Sequence, residues 1–168
     1  GEPMDTLVST KQVIISGNEF RGPAWVVSIG PENAVTDERL RDIVFERNII
    51  RPGLEGRSVP TNLLLRIAAT DVTVRNNLFL GDGDGASDGI CAIEVTTGNA
   101  GRIVSERVHV YNNVVYRGSP GAMAVRVAEP SIHTEFRNNI LYVPQHRSGL
   151  VRGVPIGPSN LELHAPAP

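Results

Sequence analysis

Apolar and polar residues alternate in five eight-residue segments that align with one another without gaps. The segments are VIISGNEF from Val13, IVFERNII from Ile43, VTVRNNLF from Val72, VHVYNNVV from Val108 and TEFRNNIL from Thr134. Alternation with a period of two is typical of a β-strand that has one buried face. Each segment therefore predicts such a strand, with its apolar residues directed toward a core.

An asparagine occupies the sixth position of every segment. The series is Asn18, Asn48, Asn77, Asn113 and Asn139, at intervals of 26 to 36 residues. We expect each Asn to lie at a corner, because Asn tolerates the left-handed backbone angles of a bend. In stacked copies its amide can bond the next Asn and the local backbone, which satisfies polar groups that point inward. The series therefore predicts a structural asparagine ladder.

A second strand recurs between these segments. Its copies are WVVSI from Trp25, LLLRI from Leu63, CAIEV from Cys91 and MAVRV from Met123, with weaker copies GLVRG from Gly149 and TLV from Thr6. Alternation predicts three inward stacks: Trp25, Leu63, Cys91 and Met123; Val27, Leu65, Ile93, Val125 and Val151; and Ile29, Ile67, Val95 and Val127. Two strands per repeat, joined by turns of variable length, predict a coil of parallel strands.

This pattern resembles the right-handed parallel β-helix repeats of the pectate-lyase-like superfamily, over roughly residues 5 to 153. The resemblance implies an all-β solenoid of about five coils, with residues 1–153 as the β-helix domain and residues 154–168 as a Pro-rich tail. It also implies an extracellular or cell-surface location. It does not specify an activity, because the superfamily includes lyases, hydrolases, epimerases, phage tail proteins and adhesin stalks.

A leucine-rich repeat is the alternative fold. One copy fits its template, with Leu40, Ile43, Phe45, Asn48 and Ile50 in the required places. The other copies carry Thr10, Ala69, Ser105 and Ser131 at the first position. Most intervals also exceed the roughly 20–29 residues of that repeat, and the second strand has no place in it. The pattern therefore favours the β-helix.

Composition limits the classes of partner. The 168 residues fit one domain with a sizeable core. With a net charge of −2 and 20% charged residues, the chain lacks the basic surface of a nucleic-acid-binding protein. Its apolar runs are too short to span a bilayer, and no signal peptide is present, so we expect no membrane association. The single Cys91 excludes an internal disulfide, and we expect it to be buried.

Outward positions of the second strand form rows that an extended ligand can follow. The middle row is Ser28, Arg66, Glu94, Arg126 and Arg152. Its arginines can bind the carboxylates of an acidic glycan, and the alternative is a solvated ladder of cross-strand ion pairs. The neighbouring row is apolar and consists of Val26, Leu64, Ala92, Ala124 and Leu150. We expect this row to be exposed and therefore to need a cover, such as a partner chain, an inter-coil loop or the C-terminal tail.

Three other groups carry candidate chemistry. The third residue after each Asn gives the row Arg21, Arg51, Leu80, Tyr116 and Tyr142. Its two tyrosines can stack on sugar rings or simply cover a turn. The Gly-rich loop at residues 81–89 holds Asp82, Asp84 and Asp88, which can ligate calcium or form a plain polar turn. His109 lies outward beside Glu135 of the next repeat, as an acid-base pair or a surface ion pair.

These features predict a β-helix module that contacts acidic polysaccharide, without a cofactor other than calcium. Its predicted contact residues are Arg66, Glu94, Arg126, Arg152, Tyr116 and Tyr142. One alternative is a structural or oligomerisation module without a ligand, and another is a calcium-assisted polysaccharide lyase with an Arg as proton acceptor. No lyase or hydrolase signature assigns a catalytic residue. We expect a homo-oligomer or a longer chain, because solenoid ends need a cap.

Overall fold

The computed structural model describes ten stretches of the chain. They are residues 12–22, 25–30, 40–52, 63–81, 91–97, 103–117, 123–128, 130–142, 151–152 and 161–163. Within these stretches every regular element is a β-strand, which agrees with the predicted all-β class. No helix in this part of the chain is long and apolar enough to cross a membrane.

The strands form three sheets, and every strand pairing is parallel. Sheet A contains β1 (Val13–Ser16), β4 (Arg41–Glu46), β7 (Thr70–Arg75), β10 (Ser105–Tyr111), β13 (Ser131–Ile132) and β14 (Glu135–Arg137). Sheet B contains β2 (Glu19–Gly22), β5 (Ile49–Pro52), β8 (Leu78–Gly81), β11 (Val114–Arg117), β15 (Ile140–Tyr142) and β17 (Leu161–Leu163). Sheet C contains β3 (Trp25–Ile29), β6 (Leu63–Ile67), β9 (Cys91–Val95), β12 (Met123–Val127) and β16 (Val151–Arg152).

The chain visits the sheets in the recurring order A, B, C, which is a parallel β-solenoid arrangement. The gapless alignment of the five segments is the register of sheet A, where Val13, Ile15 and their counterparts pair as Cα partners. β17 lies within the Pro-rich segment and pairs with β15, so that segment adds a strand to sheet B.

Each repeat contributes to all three sheets, so the expectation of two strands per repeat is wrong. The break falls at the residue before each asparagine, which has a left-handed backbone conformation, as at Asn76 with φ 56°. The sheet A strand ends directly before this residue and the sheet B strand begins directly after the asparagine, so the eight-residue segment divides between sheets A and B. The residues at this corner are Gly17, Arg47, Asn76, Asn112 and Asn138. A second left-handed corner lies at Gln12, Asp42, Asp71, Arg107 and His133.

The core lies between the sheets and is built from the apolar positions of the aligned segments. Phe45 and Val74 in sheet A and Ile50 and Phe79 in sheet B are fully buried, as the alternation predicts. Phe20 packs on Phe45 with ring centroids 5.8 Å apart. Each such side chain removed from water contributes about 1.5–3 kcal/mol. Stacking of equivalent apolar residues therefore supplies the main stabilisation of the solenoid.

Hydrogen bonds join the five asparagines, here called the asparagine row. The backbone N–H and Nδ2 of Asn77 donate to Oδ1 of Asn113, both at 3.0 Å. Nδ2 also donates to the carbonyl oxygen of Phe45 at 2.9 Å. Oδ1 of Asn77 accepts in turn from the backbone N–H and Nδ2 of Asn48. Equivalent side-chain contacts join Asn18 to Asn48 and Asn113 to Asn139.

The apolar row predicted to be exposed on sheet C is instead buried. Leu64, Ala92 and Ala124 are fully buried in the main core, Val26 packs against it, and Leu150 lies outside the described residues. Where β6 pairs with β9, the residues with Cα partners are Leu63, Leu65, Arg66 and Ile67, and Leu64 is not among them. Alternation therefore fails at this position, where consecutive residues both enter the core. No cover is needed for these three residues.

The first predicted inward stack of sheet C lies apart from the main core. Leu63 and Cys91 are buried against each other in a separate small cluster. Trp25 and Met123 hold the matching register positions in β3 and β12. The predicted burial of Cys91 is confirmed, although its surroundings are not the main core.

Candidate ligand-binding surface

The predicted arginine row of sheet C is in register along the stack. Ser28, Arg66, Glu94, Arg126 and Arg152 follow one another as Cα partners. Arg126 Nε lies 3.4 Å from Oε1 of Glu94, and Nη2 of Arg66 donates to the Thr97 carbonyl oxygen at 3.3 Å. Both guanidinium groups therefore already contact acceptors of the chain itself. This arrangement matches the ladder of cross-strand pairs that the sequence left open.

The predicted row of sheet B contains two different surfaces. Tyr116 and Tyr142 stack with ring centroids 5.1 Å apart and an interplanar angle of 4°. Because the rings cover each other, one face of each is closed to a sugar ring. Arg21 and Arg51 lie toward the other end, and both form ion pairs with Glu19.

A neighbouring apolar row on the outside of sheet B was missed by the sequence reasoning. It is formed by the residue directly after each asparagine and consists of Ile49, Leu78, Val114 and Ile140, with the charged Glu19 at its end. Ile49, Val114 and Ile140 are exposed. The sequence contains the signal for this row. Alternation directs the seventh position of each segment outward, yet Ile49, Leu78, Val114 and Ile140 occupy it.

The outside of sheet A carries a group of polar side chains. Two rows run across β7, β10 and β14, and their paired positions are Thr73, His109 and Glu135 in one row and Arg75, Tyr111 and Arg137 in the other. We call these six residues the sheet A polar face. Neighbouring strands lie about 4.8 Å apart, and residues two apart on a strand lie about 6.6 Å apart. The six side chains therefore share one small surface.

Tyr111 lies between two arginines. Arg75 Nη1 donates to the Tyr111 hydroxyl at 3.4 Å, and the guanidinium carbon of Arg137 lies 5.3 Å from the Tyr111 ring centroid. Arg75 Nε also donates to Oε2 of Glu46 at 2.7 Å. That hydrogen bond lowers the pKa of Glu46, while the contacts to Tyr111 and Glu46 raise the pKa of Arg75. Glu46 is only 7% exposed, so its carboxylate interacts with Arg75 more than with water.

His109 and Glu135 form the second polar contact of this face. His109 Nδ1 lies 3.2 Å from Oε2 of Glu135, and the side chains are 39% and 58% exposed. The structure thus brings together the two residues that the sequence placed in neighbouring repeats. The exposed carboxylate of Glu135 contrasts with the nearly buried one of Glu46.

An ion pair at the second corner borders the polar face. Arg107 Nε and Nη2 donate to the two carboxylate oxygens of Asp71 at 2.5 and 2.9 Å. These bonds hold the pKa of Asp71 below its ordinary value, and they raise the pKa of Arg107. Both groups are therefore charged throughout the neutral range and largely compensate each other.

Sequence reasoning found only part of this surface. It singled out His109 and Glu135, and it missed Arg75, Tyr111 and Arg137 as a group. Their signal is the position two residues before each asparagine, which reads Ser16, Glu46, Arg75, Tyr111 and Arg137. The residue type at this position changes from repeat to repeat. No single repeat therefore shows that these side chains form one site.

The predicted calcium ligands Asp82, Asp84 and Asp88 lie outside the described residues. Within the described stretches, no three His, Cys, Asp or Glu side chains form a group that can hold a metal ion. The calcium-assisted lyase therefore gains no support from these contacts.

No protein-family model, curated protein or solved structure matches the chain.

Proposed function

We propose that this chain is a module that contacts acidic polysaccharide through the sheet A polar face. The observation that carries the proposal is the placement of Tyr111 between Arg75 and Arg137 on one exposed surface. We further infer that the solenoid is a right-handed parallel β-helix of about five coils, of the pectate-lyase-like type. In this account the asparagine row is its structural ladder.

The chemistry of the face suits an extended chain of carboxylates. Guanidinium groups present planar forks that match carboxylate geometry, and aromatic side chains offer an apolar surface beside them. Arg137 is exposed and Arg75 is partly exposed, so both can approach a ligand. The parallel strands hold these groups on a regular surface, so one polymer can contact several repeats at once.

The sheet A polar face is a better candidate than the predicted row of sheet C. Arg126 contacts Glu94 and Arg66 contacts Thr97, and on sheet A Arg75 likewise contacts Glu46. The difference lies in Arg137, which makes its described contact with the Tyr111 ring. A cation over an aromatic ring keeps hydrogen-bond donors for a carboxylate. The row of Arg66, Arg126 and Arg152 stays a prediction, and the experiment below includes it.

Affinity is expected to come from many weak contacts. An exposed ion pair contributes about 0.2–1 kcal/mol and is screened by salt. A polyuronate that touches several repeats adds such contacts along its length. Binding should therefore weaken as the ionic strength rises, and neutral glycans should bind less tightly.

Titration calorimetry with polygalacturonate and with a neutral glucan tests the proposal. Arg75→Gln/Arg137→Gln removes the two cations of the polar face, and Arg66→Gln/Arg126→Gln is the matched control on sheet C. We expect binding of the polyuronate by the wild type and the control, and a loss of about twofold to thirtyfold in the first variant, since two exposed contacts of about 0.2–1 kcal/mol each are removed. Thermal melts of both variants check that each is folded.

Two results would contradict the proposal. Binding that prefers the neutral chain would exclude recognition of carboxylates. Full binding by the folded Arg75→Gln/Arg137→Gln variant, with a loss in the sheet C variant, would place the site on the arginine row predicted from the sequence.

A structural or oligomerisation module is the second candidate function. The exposed apolar residues Ile49, Val114, Ile140 and Tyr116 on the outside of sheet B favour it. Apolar patches of this kind mark contact surfaces for other macromolecules. Light scattering of the wild type and of an Ile49→Ser/Val114→Ser variant separates the cases. A dimer that dissociates in the variant supports assembly, and a monomer in both contradicts it.

A further inference from the structure

We infer that binding of a polyanion to the sheet A polar face is coupled to protonation of His109, and that Glu135 makes this coupling necessary. This coupling rests on the proposed function, since it describes how pH regulates binding at the same face. His109 and Glu135 form a contact of 3.2 Å beside the arginine and tyrosine row.

The charges on this face nearly cancel when His109 is neutral. Arg75 is paired with Glu46, which leaves Arg137 and Glu135 as the remaining opposite charges. Glu135 is 58% exposed, so its carboxylate meets an approaching polyanion directly. Protonation of His109 adds one positive charge next to that carboxylate. The protonation state of His109 therefore decides whether the face carries a net positive charge.

The other charged groups around His109 do not replace this effect. From β7, the paired neighbour of His109 is the uncharged Thr73, and Arg75 lies two residues further along. Asp71 is bound by Arg107 at the adjacent corner. From β14 come Glu135 and Arg137, and on β10 itself lie Arg107 and Tyr111. Among these described neighbours, His109 is the one imidazole.

Thermodynamic linkage then fixes the expected behaviour. A ligand that binds the protonated face more tightly must increase proton binding by that face, and the two effects are equal in free energy. Binding of a polyuronate should therefore be accompanied by proton uptake. The affinity for polyuronate should rise by roughly threefold to tenfold as the pH falls from 8 to 6, because one positive charge is added beside the bound carboxylates.

Calorimetry of polygalacturonate binding tests this at pH 6 and 8, in pairs of buffers that differ in ionisation heat. The wild type should take up a measurable fraction of a proton per site on binding. His109→Gln should abolish the uptake and bind at both pH values with the affinity that the wild type has at pH 8. Glu135→Gln should bind more tightly than the wild type at pH 8. His133→Asn is the matched control, since His133 is exposed at a left-handed corner that Asn tolerates, and it should retain the uptake.

The outcomes separate this inference from the proposed function. Polyuronate binding of equal affinity at pH 6 and 8, without proton uptake, overturns the coupling and leaves the binding face intact. Proton uptake that persists in His109→Gln, or disappears in His133→Asn, also overturns it. Absence of polyuronate binding at both pH values overturns the proposed function, and the coupling with it.

Discussion

At the scale of single residues, the asparagine row and the residue before it determine how each repeat turns. The sequence predicted that the asparagines bond one another, and these side chains are indeed linked by hydrogen bonds. It assigned the left-handed conformation to the wrong residue, because the corner falls at Gly17, Arg47 and their equivalents. Four of these five residues are Gly or Asn, the types that tolerate such angles. The signal was therefore present, but an Asn-Asn pair does not reveal which member bends.

Asn77→Leu should destabilise the protein far more than Asn18→Leu. Asn77 is buried and bonds Asn113, Phe45 and Asn48, whereas Asn18 is exposed at the end of the row. Each buried polar group left without a partner costs about 1–3 kcal/mol. Urea unfolding of the two variants measures the difference. Equal midpoints would mean that the asparagine row has no structural role.

The ion pair of Asp71 with Arg107 should stabilise the fold above about pH 4 and lose its effect in acid. Arg107 lowers the pKa of Asp71 below its ordinary value of 3.8. A carboxylate whose pKa is lowered in the folded state stabilises that state above the ordinary pKa, and the effect disappears as the pH falls through the lowered pKa. The difference in unfolding free energy between wild type and Arg107→Gln should therefore shrink below pH 4. A constant difference between pH 7 and pH 2 would contradict this.

At the scale of the elements, period-two alternation predicted the core positions of sheets A and B and the inward stacks of Leu65 and Ile67 in sheet C, and it assigned one row of sheet C wrongly. Phe45, Val74 and Phe79 occupy the core positions that alternation assigns to them. In sheet C, Leu64 and Leu65 both enter the core, so the row assigned to the surface is buried. Alternation assumes an unbroken strand, and it cannot show where a strand departs from regular pairing. It also cannot divide one alternating segment between two sheets.

Ala92→Asp tests the corrected orientation of sheet C. Ala92 is fully buried in the main core, so a carboxylate there should cost about 3 kcal/mol or more. Ser28→Asp is the control, since Ser28 is exposed on the same sheet, and its effect should be within about 0.5 kcal/mol. Denaturant unfolding measures both. A tolerated Ala92→Asp would support the outward orientation that alternation predicted.

At the scale of the whole molecule, the gapless repeat was enough to predict parallel strands stacked in register. It also predicted the order of side chains in each outward row, such as Arg66, Glu94 and Arg126. It did not show which row has groups available for a ligand, because that depends on contacts between neighbouring repeats. Arg126 contacts Glu94 across two strands, and Tyr111 lies between arginines of two others. On the basis of these contacts we propose sheet A, rather than sheet C, as the binding surface.

The most direct test of the ligand-binding face is a titration of isotope-labelled protein with oligogalacturonate, followed by backbone amide shifts. The largest changes should map to β7, β10 and β14, around Arg75, Tyr111 and Arg137, because those strands carry the polar face. The amides around Arg66 and Arg126 should change little. Changes concentrated on sheet B or sheet C, or no saturable change on sheet A, would contradict the account.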